Sequence, residues 1–297
     1  MFKKTLLFAL LVALPAPVRA QTGLSFLKLG PSAREQAMGD VGAASASGAA
    51  ANYYNAAMLS AGGTSAVMFS HSPWLRDTRS NYFAANFRGE QSAIGVSLSW
   101  LTVADIPVRT APTLDPEGSF TSQSAALSVS YARKFSSVLT LALTGKVLYE
   151  KIYINDARGF AVDLSAAATP FGEPLTLAAA LQNLGGFGSL SEEAVKLPTT
   201  LRLGAAYTLP LASLQSALTL EANGKTIFSD ATEFGVGAEF AFNGFLWGRL
   251  GLTAGNESRG VSAGAGVAVN GFKIDFAFVP FSNSLGSATV FTLQYLY

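Results

Sequence analysis

From about residue 64 to its end this chain keeps a hydrophobic period of two, and that pattern limits its fold more than any other feature. Phe272, Ile274, Phe276 and Phe278 alternate with Lys273, Asp275 and Ala277. Leu139, Leu141, Leu143, Val147 and Tyr149 alternate with Thr140, Thr144, Lys146 and Glu150. Phe234, Val236, Ala238, Phe240 and Phe242 alternate with Glu233, Gly235, Gly237 and Glu239. Alternate residues of a strand point to opposite faces, so each such segment has one greasy and one mixed face. The pattern predicts strands at 64–71, 80–88, 92–102, 121–134, 137–151, 159–169, 175–184, 198–209, 214–225, 232–242, 246–254, 260–269, 271–280 and 288–297. Most of these exceed the roughly five or six residues of an ordinary strand and match a tilted strand that crosses a bilayer.

The mixed face carries Gly, Ser, Thr and Ala with scattered charges of both signs. A soluble sandwich instead shows water a strongly polar face. Charged residues make up only 13% of the chain, about half the usual share. No run approaches the ~20 apolar residues of a membrane helix. Lipid offers no partners to open strand edges, so a sheet in a membrane has to close. The expected fold is therefore all-β: a 14-stranded antiparallel transmembrane β-barrel. An even strand number suits a bacterial single-chain barrel.

The connections point the same way because their lengths alternate. Short ones fall at Gly89-Glu90-Gln91, Phe135-Ser136, Pro170 to Pro174, Pro210 to Ser213, Asn243-Gly244-Phe245 and Asn270-Gly271. Longer ones fall near 72–79, 103–120, 152–158, 185–197, 226–231, 255–259 and 281–287. Asn-Gly favours a two-residue hairpin. Short periplasmic turns opposite longer outer loops are the outer-membrane pattern. Tyr82, Trp100, Tyr131, Tyr149, Tyr153, Phe171, Tyr207 and Trp247 stand near predicted strand ends, where interfacial aromatic girdles form. The last strand ends on Tyr297, with Phe291, Leu293 and Tyr295 on the same face.

The N-terminus reads as an export signal. Lys3 and Lys4 precede an apolar Thr5–Leu14, and Val18-Arg19-Ala20 fits a small-x-small cleavage site, so the mature chain is expected to start at Gln21. Residues 21–63 are crowded with Ala, Gly and Ser and lack sustained alternation. A short helix is predicted within Gly30–Gly39, with Pro31 in its first turn and Gly39 as its stop. A second helical turn is predicted at Asn55–Ser60, and Ala43–Ala51 have to pack closely or stay loose. A fourteen-stranded lumen is wider than its own side chains fill. The expected organisation is thus a signal peptide over 1–20, a small N-terminal plug over 21–63 and the barrel over 64–297.

On the mixed face, Arg88, Lys146, Glu150, Asp163, Arg202, Glu221, Glu233, Glu239, Arg249, Lys273 and Asp275 are expected in the lumen. Their signs nearly balance. Buried charges have to pair, so tying wall to plug is the first reading and a selective polar pore the second. Little else suggests chemistry. Cysteine is absent and His71 is the single histidine, which leaves no Cys/His metal cluster, and no metal or other cofactor is expected. A Ser–His hydrolase would have to use His71 beside Ser70 and Ser72, whereas a lone histidine at a strand end reads as a solvated loop residue. Gly185-Gly186-Phe187-Gly188 lacks the strand–turn–helix setting of a phosphate loop. Asp105, Asp115, Glu117, Glu192, Glu193, Asp230 and Glu257 fall on outer loops. There, calcium bridges to lipopolysaccharide compete with plain solvation. A net charge of +1 gives no reason to expect nucleic acid.

Gly30-Pro31-Ser32-Ala33-Arg34-Glu35-Gln36-Ala37-Met38-Gly39-Asp40-Val41-Gly42-Ala43-Ala44, followed by Tyr54-Asn55-Ala56-Ala57-Met58-Leu59, resembles the N-terminal signature of the PorV/PorQ family, which is related to FadL-type transporters of hydrophobic compounds. The motif positions are Ala33, Arg34, Ala37, Met38, Gly39, Asn55, Ala57 and Leu59. Asp275–Pro280 with Leu285-Gly286 resembles the family's penultimate strand and last outer loop. The resemblance implies a plugged fourteen-stranded barrel in the bacterial outer membrane, against lipid and lipopolysaccharide. It also implies a non-enzymatic role in type IX-like secretion or surface delivery through secretion-system or cargo proteins. The alternative it implies is a FadL-like channel that takes up a hydrophobic ligand. The family's Asn-Pro-Ala has Ala56 in place of Pro here, which predicts a looser plug turn, and Ser287-Ala288-Thr289 replaces its Thr-His.

Overall fold

In the computed structural model, alternation of side chains becomes a continuous wall. Its strands are β1 (Ala66–Pro73), β2 (Thr78–Arg88), β3 (Ser92–Val108), β4 (Gly118–Lys134), β5 (Leu139–Ile152), β6 (Asn155–Ala168), β7 (Leu175–Phe187), β8 (Thr200–Leu211), β9 (Ser216–Ile227), β10 (Thr232–Phe242), β11 (Leu246–Ala254), β12 (Val261–Val269), β13 (Phe272–Pro280) and β14 (Ser287–Leu296). Each pairs antiparallel with its neighbours in sequence, and β1 pairs with β14, Val67 opposite Tyr295 and Phe69 opposite Leu293. No edge is left along the ring, as a bilayer requires. The structure describes residues 23–297 except 63, 76, 113, 173, 190–194 and 229. The expected signal peptide over 1–20 and the acidic pair Glu192 and Glu193 lie outside the described residues.

Side-chain parity decides what meets lipid. On β5 and β11, Leu143, Val147 and Leu250 are exposed on the outside, while Leu148, Thr144 and Arg249 are buried on the inside. Parity also corrects part of the aromatic expectation. Tyr131 and Tyr207 face outward, but Tyr82 is buried against the lumen contents and Trp247 shares the inner face with Arg249. The short turns behave as their sequences ask: Asn243-Gly244 and Asn270-Gly271 each place both residues at positive φ.

Two outer connections are shorter than predicted. Strand pairing continues past the expected loop starts, from Ile106 opposite Phe120 to Val108 opposite Gly118, after a bulge in which Asp105 takes φ 54°. The segment near 152–158 reduces to the turn Tyr153-Ile154, because Ile152 still pairs with Asn155. Asp105 and Pro107 interrupt the alternation and read as loop, yet the ladder resumes beyond the bulge.

Residues 23–62 fill the lumen. The first helical turn, α1, spans only Ala33–Ala37, and Gly39 at φ 83° with Asp40 at φ 60° ends it. The predicted second turn is α3 (Met58–Ala61). It follows α2 (Ala51–Tyr54), which the composition of Ala43–Ala51 did not announce. Those alanines pack closely, since Ala43, Ala46, Ala49 and Ala51 are fully buried. The plug runs from one end of the barrel to the other. Gly23 N–H donates to Lys196 O (3.0 Å) in the β7–β8 connection, on the long-loop end. The α1 turn lies against β11–β14, and α3 then packs on β3–β6, where Ala57 and Leu59 meet Ala93, Ala132 and Ala167 near the short turns.

Candidate functional site: the plug–wall interface

The wall receives the plug where it has no side chains to spare. A Cβ on inward-facing Gly235 would sit 2.6 Å from Gly39 O, on Gly264 2.5 Å from Ala37 Cβ, and on Gly204 2.7 Å from Ala43 Cβ. Gly237 and Gly251 face each other across β10 and β11; the Met38 backbone lies closer still to both, joined at Gly251 by the Gly39 N. Glycine lets backbone approach backbone here, which no other residue permits.

Around this seat the charges interlock. Arg34 donates to Glu239 (2.8–3.1 Å) and pairs with Glu35 at 2.8 Å. Arg249 joins Glu239 at 2.6 Å and Asp275 at 2.7 Å, all deeply buried. Asp40 sits among Lys225 (3.0 Å), Arg202 (3.9 Å) and Arg259 (4.0 Å). Burial by itself would raise the Asp40 carboxyl, but Lys225, Arg202 and Arg259 together outweigh it and hold the group below the usual range. Lys225 also pairs with Glu233 at 2.6 Å. Glu221 accepts the Gly42 N–H (3.0 Å), the Ala44 N–H (2.9 Å) and the Ser45 hydroxyl. Removing one member of such a set strands a charge in a dry place, at a cost of about 3–5 kcal/mol.

Each wall charge named from the sequence lies on an inner face, but they do different things. Arg202, Glu221 and Glu239 touch the plug. Glu233, Arg249 and Asp275 stand behind them. The remainder bond within the wall: Lys146 with Asp163 (2.7 Å), Lys273 over the Trp247 ring (4.3 Å), and Glu150 with Ser124 Oγ (3.1 Å). Arg88 stands at the short-turn end, where its N–H donates to Ser65 Oγ.

The plug-motif residues are all buried. Ala33 N–H donates to Thr292 Oγ1 at 2.9 Å. Asn55 Nδ2 donates to Ala43 O (2.9 Å) and Ala166 O (3.1 Å), and its Oδ1 accepts the Ala57 N–H (2.9 Å). Ala56 is buried inside that set, so the turn is not loose where the family proline is missing.

Sequence reasoning missed Asp40, Lys225, Arg259 and the glycine seat. Lys225 was within reach, since it shares the parity of Glu221 and Asn223 on β9. His71 corrects another expectation. It belongs to β1 rather than a loop and faces outward, with Nδ1 2.8 Å from Asn81 Oδ1, while Ser70 and Ser72 point into the lumen. Histidine and serine therefore lie on opposite faces of the sheet. Among the described residues no group of three or more His, Cys, Asp or Glu is placed to hold a metal ion.

Cavities among the described residues have a clear distribution. Spaces against the plug, near Tyr82 and Tyr53 and beside Asp40, measure about 10 to 20 Å³. A cup of about 400 Å³ opens at the long-loop mouth between Trp74, Asp230 and Arg259. A wider space of about 870 Å³ lies along Leu177, Leu203, Phe234 and Val236 on the lipid side of β6–β10, and no plug residue lines it.

No curated protein sequence matches the chain. Among solved structures, the CymD monoaromatic hydrocarbon channel is similar at TM-score 0.65 and 12% identity, covering 93% of this chain and 99% of that one. The Pseudomonas putida toluene transporter TodX follows at TM-score 0.63 and 11% identity, over 90% and 97%. A Pseudomonas aeruginosa FadL homologue is similar at TM-score 0.50 and 10% identity, over 95% and 99%. These likenesses show a shared FadL-type barrel fold. The family model described as "Type IX secretion system protein PorV" matches residues 18–174, more than half of the chain. With a closed fourteen-stranded ring, a lipid-facing outer surface and the plug signature in place, the chain belongs to the PorV family of outer-membrane barrels.

Proposed function

We propose that this barrel serves type IX-like secretion or surface delivery through protein partners, and that it is neither an enzyme nor an open pore. Residues 1–20 direct its export and are removed in the process. The observation that carries this reading is the filled lumen: the plug meets the wall across buried ion pairs and a glycine seat, with spaces of about 10 to 20 Å³ beside its body and a cup of about 400 Å³ confined to the long-loop mouth. A barrel sealed in this way has its loops and outer wall left to work with. Affinity capture from gently solubilised outer membranes tests the proposal. Recovery of secretion components or surface cargo is expected, and their consistent absence would sink it.

Uptake of a hydrophobic small molecule is the second reading, favoured by the fold shared with the hydrocarbon channels. Such a channel needs apolar space beside its plug. Here the large apolar space lies on the lipid side instead. Faster entry of a monoaromatic hydrocarbon into proteoliposomes than into protein-free vesicles would favour uptake over the secretion reading.

A further inference from the structure

The plug has a direction. Its earliest described residues sit among the long connections: Gly23 bonds to Lys196 of β7–β8, and Lys28 Nζ reaches Asp230 of β9–β10 at 2.6 Å. Leu24, Phe26 and Leu27 are buried against Ala157 and Phe187 at the same end of the ring. Ser25 is exposed, and with Lys28 and Leu29 it lines the cup of about 400 Å³ that opens there. The plug's last residues, α3, sit instead at the short-turn end and lead straight into β1.

We infer that Gly23–Leu29 is a cell-surface segment: solutes and proteins outside the cell reach it through the long-loop mouth, and the periplasm does not. The inference uses the outer-membrane orientation of the proposed function, in which long connections face outward. It adds that the N-terminal stretch of the plug belongs to the face an extracellular partner meets. A periplasmic partner meets the short turns and the α3 end.

The absence of cysteine makes the test direct. Single-cysteine proteins Ser25→Cys, Asp115→Cys in the β3–β4 connection and Glu90→Cys in the β2–β3 turn are exposed on intact cells to a maleimide that cannot cross the outer membrane. A heat-dependent gel shift identifies folded barrels, and half-buried Leu29→Cys serves as a second probe of the segment. Ser25→Cys is expected to label on intact cells alongside Asp115→Cys, with Glu90→Cys labelling only after the membrane is broken. Labelling of both segment probes only after breakage, or not at all, overturns the inference while Asp115→Cys and Glu90→Cys still report the orientation. Surface labelling of Glu90→Cys but not Asp115→Cys would overturn the orientation itself, and the inference with it.

Discussion

Arg34 shows how one side chain holds two elements together. Its guanidinium spans Glu35 of the plug and Glu239 of β10, with Arg249 and Asp275 behind. Arg34→Met leaves Glu239 short of a partner, and a loss of about 3–5 kcal/mol is expected on unfolding in lipid vesicles. Adding Glu239→Gln is expected to cost less than the two single changes summed, because the two groups share one interaction. Asp40 gives a pH signature. Its folded carboxyl lies below the ordinary value, so its contribution is present above the unfolded value of about 3.9 and is lost as pH falls through the lower folded value. Asp40→Asn is therefore expected to be less stable than the parent by a constant margin between about pH 5 and 8, and the margin closes below about pH 4. A margin unchanged at low pH would contradict this. Arg202 and Glu221 were legible as inward charges from parity alone. Asp40 was not, because it lies in a segment without a period, where sequence gives no face to assign.

At the scale of elements, the alternating segments located every strand, all but β3 to within a few residues at each end, and the Asn-Gly pairs placed two of the turns. The misses have physical causes. Pairing of β3 with β4 resumes past a bulge at Asp105, which breaks the period of two that marks a strand. The α2 turn packs against β3 of the wall, and its four residues, Ala51 to Tyr54, are too few to show an amphipathic pattern of their own. The glycine seat reads from sequence only as weak strand positions, and its purpose shows once Met38 and Gly39 lie against it. Gly251→Ala is accordingly expected to cost about 1–3 kcal/mol by overpacking. Gly248→Ala, on the lipid side of the same strand with nothing near its added methyl, is expected to be neutral. Equal effects of the two in unfolding measurements would refute the seat.

The whole molecule is a ring with its outside greasy and its inside charged and full. Purified protein in a planar bilayer is expected to pass no steady ionic current, because the plug touches wall on opposite sides of the lumen, α1 on β11–β14 and α3 on β3–β6. A steady open level would show that the plug does not seal. The ring also closes beside the point where the plug ends, since β1 follows α3 directly and pairs with β14, the last strand of the chain. The polypeptide is thereby threaded through a hoop of its own making. Were the hoop fastened first, Leu24, Phe26 and Leu27 would have to be drawn past buried carboxylates and guanidinium groups to reach their seats. Laying the thread across a still-open sheet avoids that passage, so the plug is expected to seat before β1 and β14 clasp.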